Sequence, residues 1–223
     1  MDRTTRPRVK ICCISSVGEA ALAVSHGAAA LGLVSEMPSG PGVIPEDLIA
    51  RIARAVPPAV STFLLTCLDR AEDLIAQARR CETSTLQICD RLEPDVYPVL
   101  HRDLPGVKLV QVIHVVGMES IEEACAAARL ADALLLDSGN PQLAVKELGG
   151  TGRVHNWEIS RRIRESVDVP VFLAGGLRSE NVARGVREVG PFGVDVCSGV
   201  RTTGHLDAAK LAAFIAAVES ASC

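Results

Sequence analysis

The chain is poor in aromatic residues: one Trp, one Tyr and four Phe among 223 residues, 3% of the composition, while hydrophobic residues as a whole make up 48%. Its core must therefore be built from Ala, Val, Leu and Ile, which suits a repetitive strand–helix protein. An excess of positive charge is also missing. With a net charge of −4, and Lys and Arg spread along helix-like segments, a nucleic-acid surface is excluded, because such surfaces bind through clustered cations at phosphates. No apolar run approaches the roughly 20 residues that span a bilayer. The polar opening from Met1 to Arg8 is followed by no apolar segment of signal-peptide type, so a cytoplasmic protein without a membrane partner is expected.

Two further absences narrow the field. Eight cysteines are present (Cys12, Cys13, Cys67, Cys81, Cys89, Cys125, Cys197, Cys223), but none forms a CxxC pair, and the five histidines are scattered. A disulfide framework and a metal site are both rejected as defaults, in favour of free thiols in a reducing compartment. No GxGxxG follows the first apolar run, which removes the strongest cue for a dinucleotide fold.

What is present is an alternation. Short apolar runs read as strands at Arg8–Ile14, Ala30–Val34, Ser61–Cys67, Thr85–Cys89, Lys108–Val115, Ala133–Asp137, Val169–Ala174 and Gly193–Cys197. Helical spacing fills the gaps at Val17–His26, Pro45–Val56, Ala71–Cys81, Ile121–Leu130, Trp157–Val167, Ser179–Val189 and Asp207–Val218. Between Leu92 and Leu104, Pro94 and Pro98 leave room for only a short helix. Strands of this kind pair in parallel with both sheet faces covered, as an open doubly wound sheet or a closed barrel. With the dinucleotide cue missing, the expectation is α/β: a single-domain (β/α)8 TIM barrel over residues 1–223.

In such barrels the site lies at the C-terminal strand ends. That rule selects Cys12 and Cys13, Glu36, Thr66 to Asp69, Cys89 and Asp90, His114, Asp137, Gly175-Gly176 and Ser198-Gly199. Loops after the seventh and eighth strands often hold a phosphate on backbone amides, and small residues stand at both places here. Taken singly, each pair could be a tight turn. Asp137 follows Leu134-Leu135-Leu136, an apolar wall that would raise its pKa and suit it to a general acid; capping the loop at Ser138–Asn140 is its plainer role. Cys12 could act as a base if Lys10, on the same strand face, lowered its pKa; by residue type alone it is a buried structural thiol.

Lys10-Ile11-Cys12, Gly149-Gly150-Thr151-Gly152 with Trp157, Val171 to Leu177 with Glu180-Asn181-Val182, and Gly193 to Val200 together resemble phosphoribosylanthranilate isomerase of tryptophan biosynthesis. The likeness is dense from Asp132 onward and thinner before it. The resemblance implies a cofactor-free (β/α)8 barrel catalysing an Amadori rearrangement of a phosphorylated sugar-amine, working as a monomer or homodimer. It implies Asp137 as general acid, Cys12 as general base, Gly175, Gly176, Ser198 and Gly199 at the phosphate, and Gly150, Thr151 and Gly152 in a substrate loop.

Four motifs depart from the family pattern. Ser39-Gly40-Pro41 stands where Ser-Pro-Arg is usual, with the arginine pairing the anthranilate carboxylate. Cys12-Cys13 replaces Cys-Gly, with Ser15-Ser16 for Thr-Arg; Gln87-Ile88-Cys89-Asp90 replaces Gln-Leu-His-Gly; Cys197 to Arg201 replaces Ser-Ser-Gly-Val-Glu. Losing a bidentate arginine at a carboxylate costs on the order of 2–4 kcal/mol of binding if nothing replaces it. Isomerase chemistry on a different phosphoribosylamine, and a non-catalytic phosphosugar binder, are the alternatives.

Overall fold

In the computed structural model, described over residues 6–139 and 154–221, eight strands close into a parallel barrel in sequence order. They are β1 Arg8–Ile11, β2 Ala30–Val34, β3 Ser61–Thr66, β4 Thr85–Ile88, β5 Lys108–His114, β6 Ala133–Asp137, β7 Val171–Leu173 and β8 Gly193–Val196. The helices are α1 Val17–Ser25, α2 Glu46–Ala55, α3 Ala71–Cys81, α4 Val96–Asp103, α5 Ser120–Ala127, α6 Trp157–Ser166, α7 Val182–Val189 and α8 Ala208–Ser220. No described helix is long and apolar enough to cross a membrane.

The strands read as continuous apolar runs because both of their faces are buried. Alternate residues then divide between two cores. Ile11, Leu31, Leu33, Leu64, Leu86 and Leu109 join the layer beneath the helices, whereas Cys12, Phe63, Leu65, Val110, Val112, Leu135 and Phe172 fill the barrel itself. Two of the few rings meet edge to face inside it, Phe63 and Phe172, with centroids 5.9 Å apart. Closure joins β1 to β8, with Lys10 level with Asp195. At that seam the buried Lys10 ammonium donates to Asp195 Oδ1 at 2.9 Å and lies 5.2 Å from the Phe63 ring centroid.

Local signals account for several helix ends. Ser16 Oγ accepts from the Glu19 amide to cap α1, and Gly27, at φ +92°, lets the chain turn after it. The Asp207 carboxylate caps α8 through the amides of Ala209 and Lys210. One expected helix start is corrected. The Ser179–Val189 helix begins only at Val182, because Asn181 accepts from the Arg178 amide and donates to the Gly176 carbonyl, tying down the loop after β7. Several expected strands are also shorter: β1 stops at Ile11, where the Cys12 amide still reaches the Val196 carbonyl at 2.8 Å before Cys13 turns the chain at φ +61°. After β8 come a 3-10 turn at Ser198–Val200 and a two-residue antiparallel pair, β9 Arg201–Thr202 with β10 His205–Leu206.

Candidate active site

A pocket opens at the C-terminal mouth of the barrel. Walking the rim from β6 to β1 passes Asp137, the Gly175-Gly176 loop after β7, Ser198 after β8, and Cys12 and Cys13 after β1; all six line the pocket. Acid candidate and base candidate therefore flank the two glycine-bearing loops. The opposite wall is Met37 with Ser39-Gly40-Pro41 from the β2 loop, and Gln87 contributes from β4.

The two loops are built differently. Gly175 and Gly176 have φ +78° and +61°, which favours glycine, and a Cβ on Gly175 would press on His155 Nδ1 and Ser138 Oγ at 3.0 Å. Gly199 lies behind the pocket wall. A Cβ there would run into the Leu177 carbonyl oxygen, so Gly199 lets the β8 loop pack against the β7 loop.

Asp137 is 8% exposed, and its Oδ1 accepts from the Ser138 amide at 2.7 Å, so the local cap expected of it is made while the side chain still faces the pocket. Beside it, His155 Nε2 meets Ser160 Oγ at 2.7 Å, and burial pushes the His155 pKa down to about 4 against the pull of the Asp137 charge. Lys10 lies inside the barrel, outside the pocket lining. Burial opposes its charge, yet Asp195 and nearby Cys12 hold its pKa above the ordinary lysine value. Asp195 itself lines the pocket.

Arg201, which stands where the family motif has Glu, does not line the pocket. Its guanidinium pairs with Glu19 at 3.0 Å and donates to the carbonyls of Cys12 and Cys13 at 3.2 and 2.5 Å, both side chains of the ion pair being nearly buried. Arg201 and Glu19 thus brace the backbone that carries Cys12, a link that the isolated motifs did not reveal. Among the described residues lining the pocket there is no Lys or Arg.

Other rim candidates stay apart from the pocket lining. Cys89 is buried in the barrel, and His114, level with Asp137 on β5, is held by the Cys89 carbonyl at 3.0 Å. Thr66 closes β3, its hydroxyl accepting from the Leu68 amide. The substrate-loop candidates Gly150, Thr151 and Gly152 lie outside the described residues. Sequence reading missed Asp195 and the contact of Cys13 with Cys197, whose sulfurs are 2.8 Å apart. The apolar alternation of β8 singles out Asp195 as an inward carboxylate; nothing in the pattern marks the thiol pair.

The family model described as N-(5'phosphoribosyl)anthranilate (PRA) isomerase matches residues 9–217. A Methanosarcina mazei protein named N-(5'-phosphoribosyl)anthranilate isomerase 2 is 35% identical over 210 residues, covering 93% of this chain and 92% of that protein. The crystal structure of phosphoribosyl anthranilate isomerase from Thermus thermophilus superposes with a TM-score of 0.80 at 26% identity, over 96% of this chain and 98% of that one. A phosphoribosyl anthranilate isomerase solved with reduced 1-(o-carboxyphenylamino)-1-deoxyribulose 5-phosphate gives a TM-score of 0.77 at 25% identity, over 96% and 99% of the two chains.

Proposed function

This chain belongs to the N-(5'-phosphoribosyl)anthranilate isomerase family, and on that premise we propose that its pocket carries out the tryptophan-pathway isomerisation with Asp137 as general acid and Cys12 as general base. The carrying observation is that these two side chains line one pocket on either side of the Gly175-Gly176 and Ser198-Gly199 loops. The substrate's 5'-phosphate takes the amides of those loops, which glycine leaves open to a close anion. Asp137 then protonates the ribose ring oxygen, and the C–O bond opens to a Schiff base. Cys12 removes the C2' proton, leaving an enolamine that tautomerises to the aminoketose. Carbon C1' is reduced as C2' is oxidised, so the reaction balances within the substrate and calls for no cofactor.

The compound held by the relative of known structure is a reduced aminoribulose phosphate bearing a carboxyphenyl group. The test is direct: purified protein is mixed with phosphoribosylanthranilate, and the loss of substrate fluorescence is followed. Cys12→Ser and Asp137→Asn should each lower kcat by at least 100-fold, on the ~10²–10⁴-fold scale of general acid–base catalysis, and full activity in either variant would remove its assigned role.

A second reading keeps the chemistry and changes the aglycone. It is favoured by the β2 loop, where Ser39-Gly40-Pro41 line the pocket without an arginine, while Arg201 is engaged by Glu19. Weak turnover of the anthranilate substrate together with tight binding of ribose 5-phosphate would select it. Complementation of a strain lacking the tryptophan-pathway isomerase separates the two readings.

A further inference from the structure

Cys13 and Cys197 stand on neighbouring loops at the barrel seam, 184 residues apart in sequence, and both line the mouth of the pocket. Their sulfurs are 2.8 Å apart, against about 2.05 Å in a disulfide. Each is also a departure from the family pattern, which has Gly and Ser at these places. Cys12 borders the pair: its thiol is hydrogen-bonded to that of Cys13, and its sulfur also faces β2, where a Cβ on Gly32 would meet it at 2.8 Å.

We propose that Cys13 and Cys197 form a site of reversible oxidative modification, closing to a disulfide that staples the β1 loop to the β8 loop. The oxidant is a small disulfide reaching the pair through the pocket. The Cys197 thiolate attacks one sulfur of the reagent, whose S–S bond breaks and releases one thiolate. Cys13 then loses its proton and attacks Cys197, expelling the second. Two electrons pass from the protein sulfurs to the reagent, which leaves as two thiols. The surroundings divide the roles in that order. Cys13 and the positive charge of Arg201 hold the Cys197 pKa below the ordinary thiol value, whereas its neighbouring thiols and burial push that of Cys13 up.

The staple acts on the site through Cys12 and Ser198, each one residue from a bridged cysteine. Drawing the sulfurs together by several tenths of an ångström shifts both, and displacements near 1 Å can cost about 100-fold in rate.

The test treats the full chain with 2-hydroxyethyl disulfide and maps its cysteines by mass spectrometry, beside Cys13→Ser and Cys197→Ser. The expected result is loss of two hydrogens, a cross-linked peptide pair containing Cys13 and Cys197, an isomerase rate lowered about tenfold, and full recovery with dithiothreitol. Cys197→Ser should yield no cross-link. The mapping is independent of turnover, so it stands or falls separately from the isomerase assignment. Thiols that stay free, a cross-link between another pair, or an equal loss of rate in oxidised Cys197→Ser would overturn the proposal.

Discussion

At the scale of single residues, Lys10 is the most demanding position in the chain. Its ammonium is fully buried, and its carboxylate partner among the described residues is Asp195. Removing one member of a buried ion pair leaves the other unpaired, whereas removing both with apolar groups of similar size is often close to neutral. Lys10→Met should therefore cost about 3–5 kcal/mol of stability in denaturant unfolding, and Lys10→Met with Asp195→Leu should recover most of it. His155 gives a pH signature. Its pKa is about 4 in the folded chain, against about 6.5 when unfolded, so between these values the unfolded chain binds the extra proton. Stability from this group is complete above pH 6.5 and is lost as the pH falls toward 4. Thermal midpoints measured across that window should decline in the parent and flatten in His155→Gln.

At the scale of elements, the rim is held by contacts between loops. Gly199 allows the β8 loop to rest on the Leu177 carbonyl. In Gly199→Ala the two loops must part, and KM should rise at least tenfold with kcat less affected if these loops hold the phosphate as proposed; steady-state kinetics on the anthranilate substrate reads this. The Glu19–Arg201 pair braces the β1 loop from beneath. Although burial works against the Glu19 carboxylate, Arg201 and the amides of Leu206 and Ser15 hold its pKa below the usual range. Its contribution is present above that range and fades as the pH falls through the lowered value. Glu19→Ala should cost about 3 kcal/mol near neutrality and lessen the acid dependence of the thermal midpoint. The strand ends carrying Asp137, Gly175-Gly176 and Ser198 were legible in sequence, since each closes an apolar run. The Cys13–Cys197 and Glu19–Arg201 contacts were not. They arise from the closure of β1 on β8, and a linear pattern carries no record of which distant loops meet across a seam.

At the scale of the whole molecule, the alternation of apolar runs and helical spacing was sufficient to read the barrel, because a parallel strand buried on both faces leaves a run that turns and helices bound clearly. The β9–β10 pair escaped notice, two residues per strand being too few for any periodicity. Closure also brings the first and last described parts of the chain together: β1 pairs with β8, and Arg6 is ion-paired with Glu219 on α8. A circular permutant joining the ends through a short glycine-rich linker and opening at an exposed turn such as Gly106 should fold, with far-ultraviolet circular dichroism and thermal midpoint close to the parent.

The scarcity of rings has an optical consequence. Trp157, the sole indole, is buried at the start of α6 against Gly185, with the Arg184 guanidinium 5.5 Å from the ring. Every photon of tryptophan emission from this protein thus originates at one known place in the helical layer. An aminobenzoate ring absorbs where indole emits, so occupancy of the barrel mouth should dim Trp157 by energy transfer, reporting binding before any bond has changed.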